Sequence, residues 1–85
     1  YDMCEKVGMD YKNVVEGVTA DSRIGKSHTK VPGIDNDRGF GGTCFPKDLN
    51  SLIVQMESAD INADMFKEIW KYNKEIRNLI DWTVT

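Results

Sequence analysis

Residues 62–81 read NADMFKEIWKYNKEIRNLID, and this stretch decides the fold class. Apolar side chains recur in it every three or four residues, which is the spacing of one face of an α-helix. The stripe consists of Phe66, Ile69, Trp70, Asn73, Ile76 and Ile80. Asn62 suits a helix N-cap, so we predict a helix over 62–81. Asn73 lies inside the apolar stripe, and we expect its amide to be hydrogen-bonded if it is buried.

The rest of the chain predicts three more helical segments. Residues 46–58 carry the same apolar periodicity, and Pro46 suits the first helical position. A helix over 10–19 is predicted with Asp10 as its N-cap. Residues 1–7 resemble the last turns of a helix that ends at Gly8. No segment alternates as a strand would, so the predicted fold class is all-α with one long ordered loop over 20–43.

Length and composition exclude several classes of protein. The chain has 85 residues, enough for one small domain, and its formal net charge of −3 argues against a general nucleic-acid-binding protein. It has neither an apolar run long enough to cross a membrane nor a signal-peptide pattern. The two cysteines, Cys4 and Cys44, lack the paired spacing of a zinc site, so we expect no metal and a cytoplasmic location. Since residue 1 is Tyr and no cap precedes the first helix, we expect a fragment of a larger protein.

Residues 39–49, GFGGTCFPKDL, are the segment that indicates chemistry. Three glycines among four positions allow the main chain to approach a ligand closely. Cys44 stands just before a predicted helix, whose positive end favours a thiolate, and Lys47 adds a cation in the first turn. A cysteine in such a place can act as a nucleophile. The alternatives are a buried structural cysteine, a solvated Lys47, and an Asp48 that only stabilises the helix dipole.

Other distinctive side chains have simpler interpretations. His28 is the single histidine and lies in a polar loop, so we assign it no role. Trp70 and Trp82 lie twelve residues apart on the predicted helix, and we expect core and interface positions for them rather than a ligand-stacking pair.

The segment 39–48 resembles the catalytic cysteine motif of the UDP-glucose/GDP-mannose dehydrogenase family. Upstream, residues 21–25 (DSRIG) resemble the Asp-x-Arg-Ile-Gly segment of that family, and residues 31–33 (VPG) are similar to a bacterial version of its loop. Asn73 fits the asparagine of the helix that follows the motif. The resemblance spans nearly the whole chain.

The resemblance implies a covalent oxidation. The family converts the primary alcohol of a sugar nucleotide into a carboxylate by two hydride transfers to NAD, and holds the aldehyde as a thiohemiacetal and then a thioester. Cys44 would be the nucleophile, and Asp48 would be the carboxylate near the hydrolytic water. Lys47 would lie near the NAD cofactor.

The resemblance also implies a substrate site. Phe40, Gly41 and Gly42 would line the UDP-sugar. Arg23 would reach a substrate, in the family often the one bound by the partner subunit; without the resemblance it is equally well a surface arginine.

The Rossmann turn that binds NAD does not occur in these 85 residues. The resemblance is therefore to the central helical domain, which forms the subunit interface in the family. We expect residues 1–85 to be that domain, with its catalytic cysteine loop over 21–48, to form a homodimer, and to be inactive when isolated.

Several other functions remain open from the sequence. The chain could be a non-catalytic helical dimerisation module, or a cysteine hydrolase or transferase that uses His28 as its base. A third alternative is a dehydrogenase for another sugar nucleotide, such as GDP-mannose or a UDP-N-acetylmannosamine-type sugar.

Overall fold

The computed structural model describes residues 1–82, and every regular element in that range is helical. The helices are α1 (Asp2–Val7), α2 (Tyr11–Thr19), α3 (Phe45–Ser58) and α4 (Asp64–Ile76). Turns and bends fill the long connection between α2 and α3. The predicted all-α class with one long loop is confirmed.

Local signals place the ends of the first three helices. Gly8 ends α1 in the left-handed region, with φ 77°, and its N–H donates to the Cys4 carbonyl. The Asp10 side chain caps α2 by accepting from the Lys12 N–H at 3.0 Å. Pro46 lies in the first turn of α3 and is fully buried. The predictions for Gly8 and Asp10 are confirmed, whereas α3 begins one residue earlier than predicted, so that Pro46 is its second residue.

The last helix is shorter than predicted at both ends. α4 begins at Asp64, with Ala63 rather than Asn62 as its N-cap. Asn62 still contributes, because its side-chain oxygen accepts from the Asp64 N–H at 2.9 Å. At the other end Arg77 is extended, with φ −78° and ψ 136°, so the predicted helix over 62–81 is wrong beyond Ile76.

The cause of the early end is a contact with the long loop. The Asp37 carboxylate accepts from the backbone N–H groups of Asn78 at 2.9 Å and Leu79 at 2.7 Å. Those donors are therefore satisfied without a further helical turn. Ile80 consequently lies outside the helix and is 75% exposed, so its predicted place in the apolar stripe is wrong.

The core is small and lies where α3 packs against α4. Its buried apolar side chains are Pro46 and Ile53 in α3 and Ala63 and Trp70 at α4, and Cys4 is buried in α1. Since the chain turns after Ile76, the Trp82 ring packs edge-on against Trp70, with ring centroids 5.0 Å apart. Trp70 is buried as predicted, but the prediction that both tryptophans lie on one helix is wrong.

A membrane-spanning helix would have to be longer and more apolar than any found in residues 1–82.

Candidate active site

Cys44 is the N-cap of α3 and is exposed. Its carbonyl accepts from the Asp48 N–H at 2.8 Å, which closes the first turn of the helix. Because residues four apart share one face of a helix, the side chains of Cys44 and Asp48 lie on the same side. The alternative of a buried structural cysteine is therefore wrong for Cys44, whereas Cys4 is buried.

Lys47 and Asp48 lie side by side in the first turn of α3. The ammonium nitrogen of Lys47 is 3.7 Å from Asp48 Oδ1, and the two side chains are 66% and 65% exposed. An exposed pair of this kind is weak, so neither group is committed to the other. Both groups remain accessible to a ligand beside Cys44.

The glycine loop, residues 39–42, runs directly into this turn. Gly42 has φ +84°, a conformation that disfavours other residues, and a Cβ there would meet no atom within 4 Å. The loop therefore has an open side just before Cys44. Gly41 is different, because a Cβ would lie 2.0 Å from Nη2 of Arg77.

Asn73 fixes the backbone of Phe40. Its Oδ1 accepts from the Phe40 N–H and its Nδ2 donates to the Phe40 carbonyl, both at 2.8 Å. Asn73 is 2% exposed, so the expectation of a hydrogen-bonded buried amide is confirmed. The Phe40 ring also packs edge-on against Phe45, with centroids 5.9 Å apart, and tilted against Trp70 at 6.1 Å. The loop is thus attached to both α3 and α4.

The amino-acid sequence did not predict the charged cluster around Arg77. The Arg77 side chain is completely buried and pairs with Asp35 at 2.7 Å, Asp81 at 3.1 Å and Asp37 at 3.6 Å. Burial alone would lower the pKa of Arg77, but the hydrogen bond that Arg77 donates to Asp35 and the three carboxylate charges outweigh it and raise the pKa. Neighbouring residues give no signal for this cluster, because Asp35 lies 42 residues before Arg77 and because α4 ends before Arg77 and Asp81.

Asp37 is the anion at the centre of this cluster. The N–H of Leu79 contributes most to lowering the pKa of Asp37 to about 2, against the opposing effect of burial. The Arg38 N–H and both donors of Asn78 lower this pKa further. Asp37 is therefore an ionised carboxylate that binds the loop to the end of α4.

The structure does not bring Arg23 to Cys44. Arg23 is 87% exposed, and its guanidinium and backbone N–H bond to Asp21, at 2.7 Å and 2.9 Å. His28 is exposed, and its ring lies 6.1 Å from the Phe45 ring. A cysteine hydrolase that used His28 as its base would favour a hydrogen bond between His28 and Cys44. Within residues 1–82 no such hydrogen bond is present.

One cavity lies away from Cys44. It has a volume of about 410 Å³, opens between α2 and residues 26–32, and is lined by Tyr11, Val15 and Pro32 among others. Across the described part of the chain, no group of three or more His, Cys, Asp or Glu side chains could hold a metal ion.

Residues 1–75 match the family model described as UDP-glucose/GDP-mannose dehydrogenase family, central domain. The chain belongs to this family. The matched residues of the UDP-glucose/GDP-mannose dehydrogenase central domain include the glycine loop, Cys44 and Asn73, whereas Arg77 and Asp81 lie beyond them. The resemblance inferred from residues 39–48 is confirmed.

Curated relatives in the family are similar over most of the chain. The UDP-glucose 6-dehydrogenase of Rickettsia prowazekii is 38% identical over 73 residues, covering 86% of this chain and 16% of the relative. UDP-glucose 6-dehydrogenase TuaD of Bacillus subtilis is 38% identical over 85 residues, covering 99% of this chain and 17% of the relative. The Rickettsia conorii UDP-glucose 6-dehydrogenase is 36% identical over 85 residues, covering 99% of this chain and 18% of the relative. The chain thus spans about a sixth of the length of these relatives. No solved structure matches.

Proposed function

We propose that residues 1–85 are the central domain of an NAD-dependent dehydrogenase that oxidises the C6 alcohol of UDP-glucose to the uronic acid. One observation carries the proposal: an exposed Cys44 at the start of α3, with Asp48 one turn later, follows a glycine loop in a chain of this family. UDP-glucose is the proposed substrate because the relatives described above are named UDP-glucose 6-dehydrogenases.

Cys44 supplies the covalent step. The first oxidation removes a hydride and a proton from the alcohol and leaves an aldehyde. The Cys44 sulfur then attacks the aldehyde carbon, a C–S bond forms, and the carbonyl oxygen takes up a proton to give a thiohemiacetal. The second oxidation removes a hydride from the same carbon and the hydroxyl proton, which leaves a thioester. Because the carbon stays bound to sulfur, the aldehyde is not released between the two oxidations.

Asp48 serves the hydrolysis. Water attacks the thioester carbon, the C–S bond breaks, and the products are the carboxylate and a restored Cys44 thiol. The Asp48 carboxylate, on the same helix face as Cys44, orients that water and accepts its proton. Its exposure of 65% leaves it accessible to water.

The remaining site residues bind the sugar nucleotide or the NAD cofactor. Phe40, Gly41 and Gly42 line the sugar nucleotide, and the open side of Gly42 gives the main chain room to approach it. NAD, when bound, accepts one hydride in each oxidation. Lys47 fits such a dinucleotide, because its ammonium is 66% exposed beside Cys44 and can pair with a phosphate. Arg23, which is exposed on the loop, reaches the substrate of a partner subunit.

A homodimer is part of the proposal. Large apolar side chains are exposed on several elements, including Met3 at 75%, Val54 at 61% and Met65 at 66%. In the proposed homodimer the partner subunit would cover side chains of this kind. The same observation favours the alternative of a helical dimerisation module, which is compatible with a catalytic role in the whole enzyme. A cytoplasmic location, no nucleic-acid partner and an inactive isolated chain complete the proposal.

The test replaces Cys44 in the full-length protein that carries this chain. Cys44→Ser abolishes uronic acid formation from UDP-glucose and NAD, because a serine hydroxyl yields little anionic nucleophile near neutral pH. UDP-glucose binding is retained, because it rests on the glycine loop and Arg23. NADH formation and uronic acid are measured with UDP-glucose, GDP-mannose and UDP-N-acetylmannosamine.

The matched control is Cys4→Ala, which alters packing in α1 and leaves turnover intact. Near wild-type turnover by Cys44→Ser would overturn the covalent mechanism. Turnover of GDP-mannose or UDP-N-acetylmannosamine in preference to UDP-glucose would overturn the proposed substrate.

A further inference from the structure

Three side chains, from α4 and the segment that follows it, contact the glycine loop and the residues beside it. Asn73 bonds to both the N–H and the carbonyl of Phe40, at 2.8 Å each. Asp81 Oδ1 accepts from the Gly42 N–H at 2.8 Å. Arg77 donates to that same oxygen at 3.1 Å and to the Arg38 carbonyl at 3.3 Å. Main-chain groups on both sides of Gly41 are therefore held from one direction.

Gly41 lies against the buried guanidinium. A Cβ there would stand 2.0 Å from Arg77 Nη2 and 2.4 Å from Asp81 Oδ1. The loop can therefore approach the pair only because residue 41 has no side chain. Arg77 in turn is fixed by Asp35 and Asp37, so the surface that receives the loop is itself well ordered.

The held backbone leads directly to the proposed nucleophile. Cys44 follows Gly42 by two residues and is the N-cap of α3. The Phe40 ring packs against Phe45, the first residue of that helix. A shift of the loop therefore displaces Cys44 relative to a ligand lying on the glycines.

We propose that Asn73, Arg77 and Asp81 are positioning residues, which hold the Phe40–Gly42 backbone in the arrangement that aligns Cys44 with the substrate carbon. The inference rests on the proposed function. It assigns roles to two residues, Arg77 and Asp81, that lie beyond the residues matched by the family model. None of the three is a catalytic residue, because each acts through the loop.

Asp81 is the most accessible of the three for a test, because it is 43% exposed, and its replacement removes the acceptor shared by the Gly42 N–H and Arg77. In the full-length enzyme, Asp81→Ala removes the acceptor of the Gly42 N–H, and kcat with UDP-glucose falls roughly 10–100-fold, as expected for a misaligned reacting group. Asp81→Asn keeps an oxygen acceptor for the Gly42 N–H and restores most of kcat. Asp64→Ala, an exposed acidic position at the start of α4, is the matched control with unchanged kcat.

A second readout is independent of activity. Hydrogen–deuterium exchange of the peptide covering residues 39–45 is faster in Asp81→Ala than in the wild type, because the Gly42 amide has lost its partner. Asn73→Asp keeps the shape of the side chain but replaces the Nδ2 donor to the Phe40 carbonyl with a carboxylate oxygen. This variant gives the same increase in exchange and a lower kcat.

The outcomes separate the two proposals. A wild-type enzyme with no activity on any sugar nucleotide would sink the proposed function, while exchange would still report on the loop. Unchanged exchange in Asp81→Ala, or faster exchange with an unchanged kcat, would overturn the positioning role. An Asp81→Asn enzyme no more active than Asp81→Ala would overturn it as well.

Discussion

At the scale of single residues, Arg77 determines how closely the glycine loop can approach the end of α4. A buried guanidinium is costly unless its charge and its hydrogen-bond donors are matched. Here carboxylates face it from two directions, Asp35 and Asp37 from the loop and Asp81 from the segment after α4. Beside the cluster there is room for the backbone of a residue but not for a side chain, and Gly41 occupies this position.

Gly41→Ala is therefore expected to destabilise the chain. Its new methyl group would overlap Arg77 Nη2, so either the guanidinium or the loop must move and lose hydrogen bonds. We expect a loss of about 1–3 kcal/mol in the free energy of unfolding, the range for overpacking a filled site. Urea unfolding measures it.

The matched control is Gly25→Ala. Its nearest neighbour would be the Ser27 hydroxyl at 3.8 Å, an ordinary contact. This change should stay within about 0.5 kcal/mol of the wild type. Equal urea midpoints for the two variants would contradict the close approach described at Gly41.

At the scale of helices and loops, Asp37 connects the long loop to the end of α4. It accepts from Asn78 and Leu79 and faces Arg77, so it both ends the helix and fixes the loop. The same contact places Asn73 beside Phe40 and Asp81 beside Gly42. The geometry of the glycine loop thus depends on an ionised carboxylate outside it.

Stability should fall in acid as this carboxylate is protonated. The pKa of Asp37 is about 2 in the folded chain, below its usual value of 3.8. A lowered folded-state pKa contributes stability above the unfolded value, and this contribution is lost as pH falls from about 4 towards 2. Asp35 and Asp2 also have lowered pKa values, so they add to the loss in the same direction.

Urea unfolding of the wild type and Asp37→Asn between pH 2 and pH 6 tests this expectation. The variant should be less stable at pH 6, and its stability should depend less steeply on pH below 4. Parallel curves for the two proteins would contradict the role given to Asp37.

The sequence predicts those features that depend on neighbouring residues. Gly8, Asp10 and Pro46 mark helix ends by their own conformational preferences, and the structure agrees with all three to within one residue. The end of α4 could not be predicted in this way, because it depends on Asp37, 41 residues before Asn78. For the same reason the cysteine segment was recognised from its residues, whereas the partners of Arg77 were not.

At the scale of the whole molecule, the site is an open one. Cys44, Lys47 and Asp48 lie exposed at one end of α3, in a domain that measures 41 × 28 × 22 Å. The chain spans about a sixth of the length of its relatives. The proposed chemistry therefore needs surfaces from the rest of the enzyme to bind NAD and enclose the substrate.

In the proposed reaction Cys44 carries the substrate carbon through both oxidations, and Asp48 assists the hydrolysis. The most direct measurement mixes full-length Asp48→Asn enzyme with UDP-glucose and NAD, then follows NADH formation and the mass of the peptide containing residues 39–48. Slow hydrolysis predicts a burst of two NADH per active site. NADH formation then stops, because Cys44 remains acylated by the oxidised sugar nucleotide. NADH formation without an adduct on that peptide, or with the adduct on Cys4, would contradict the account.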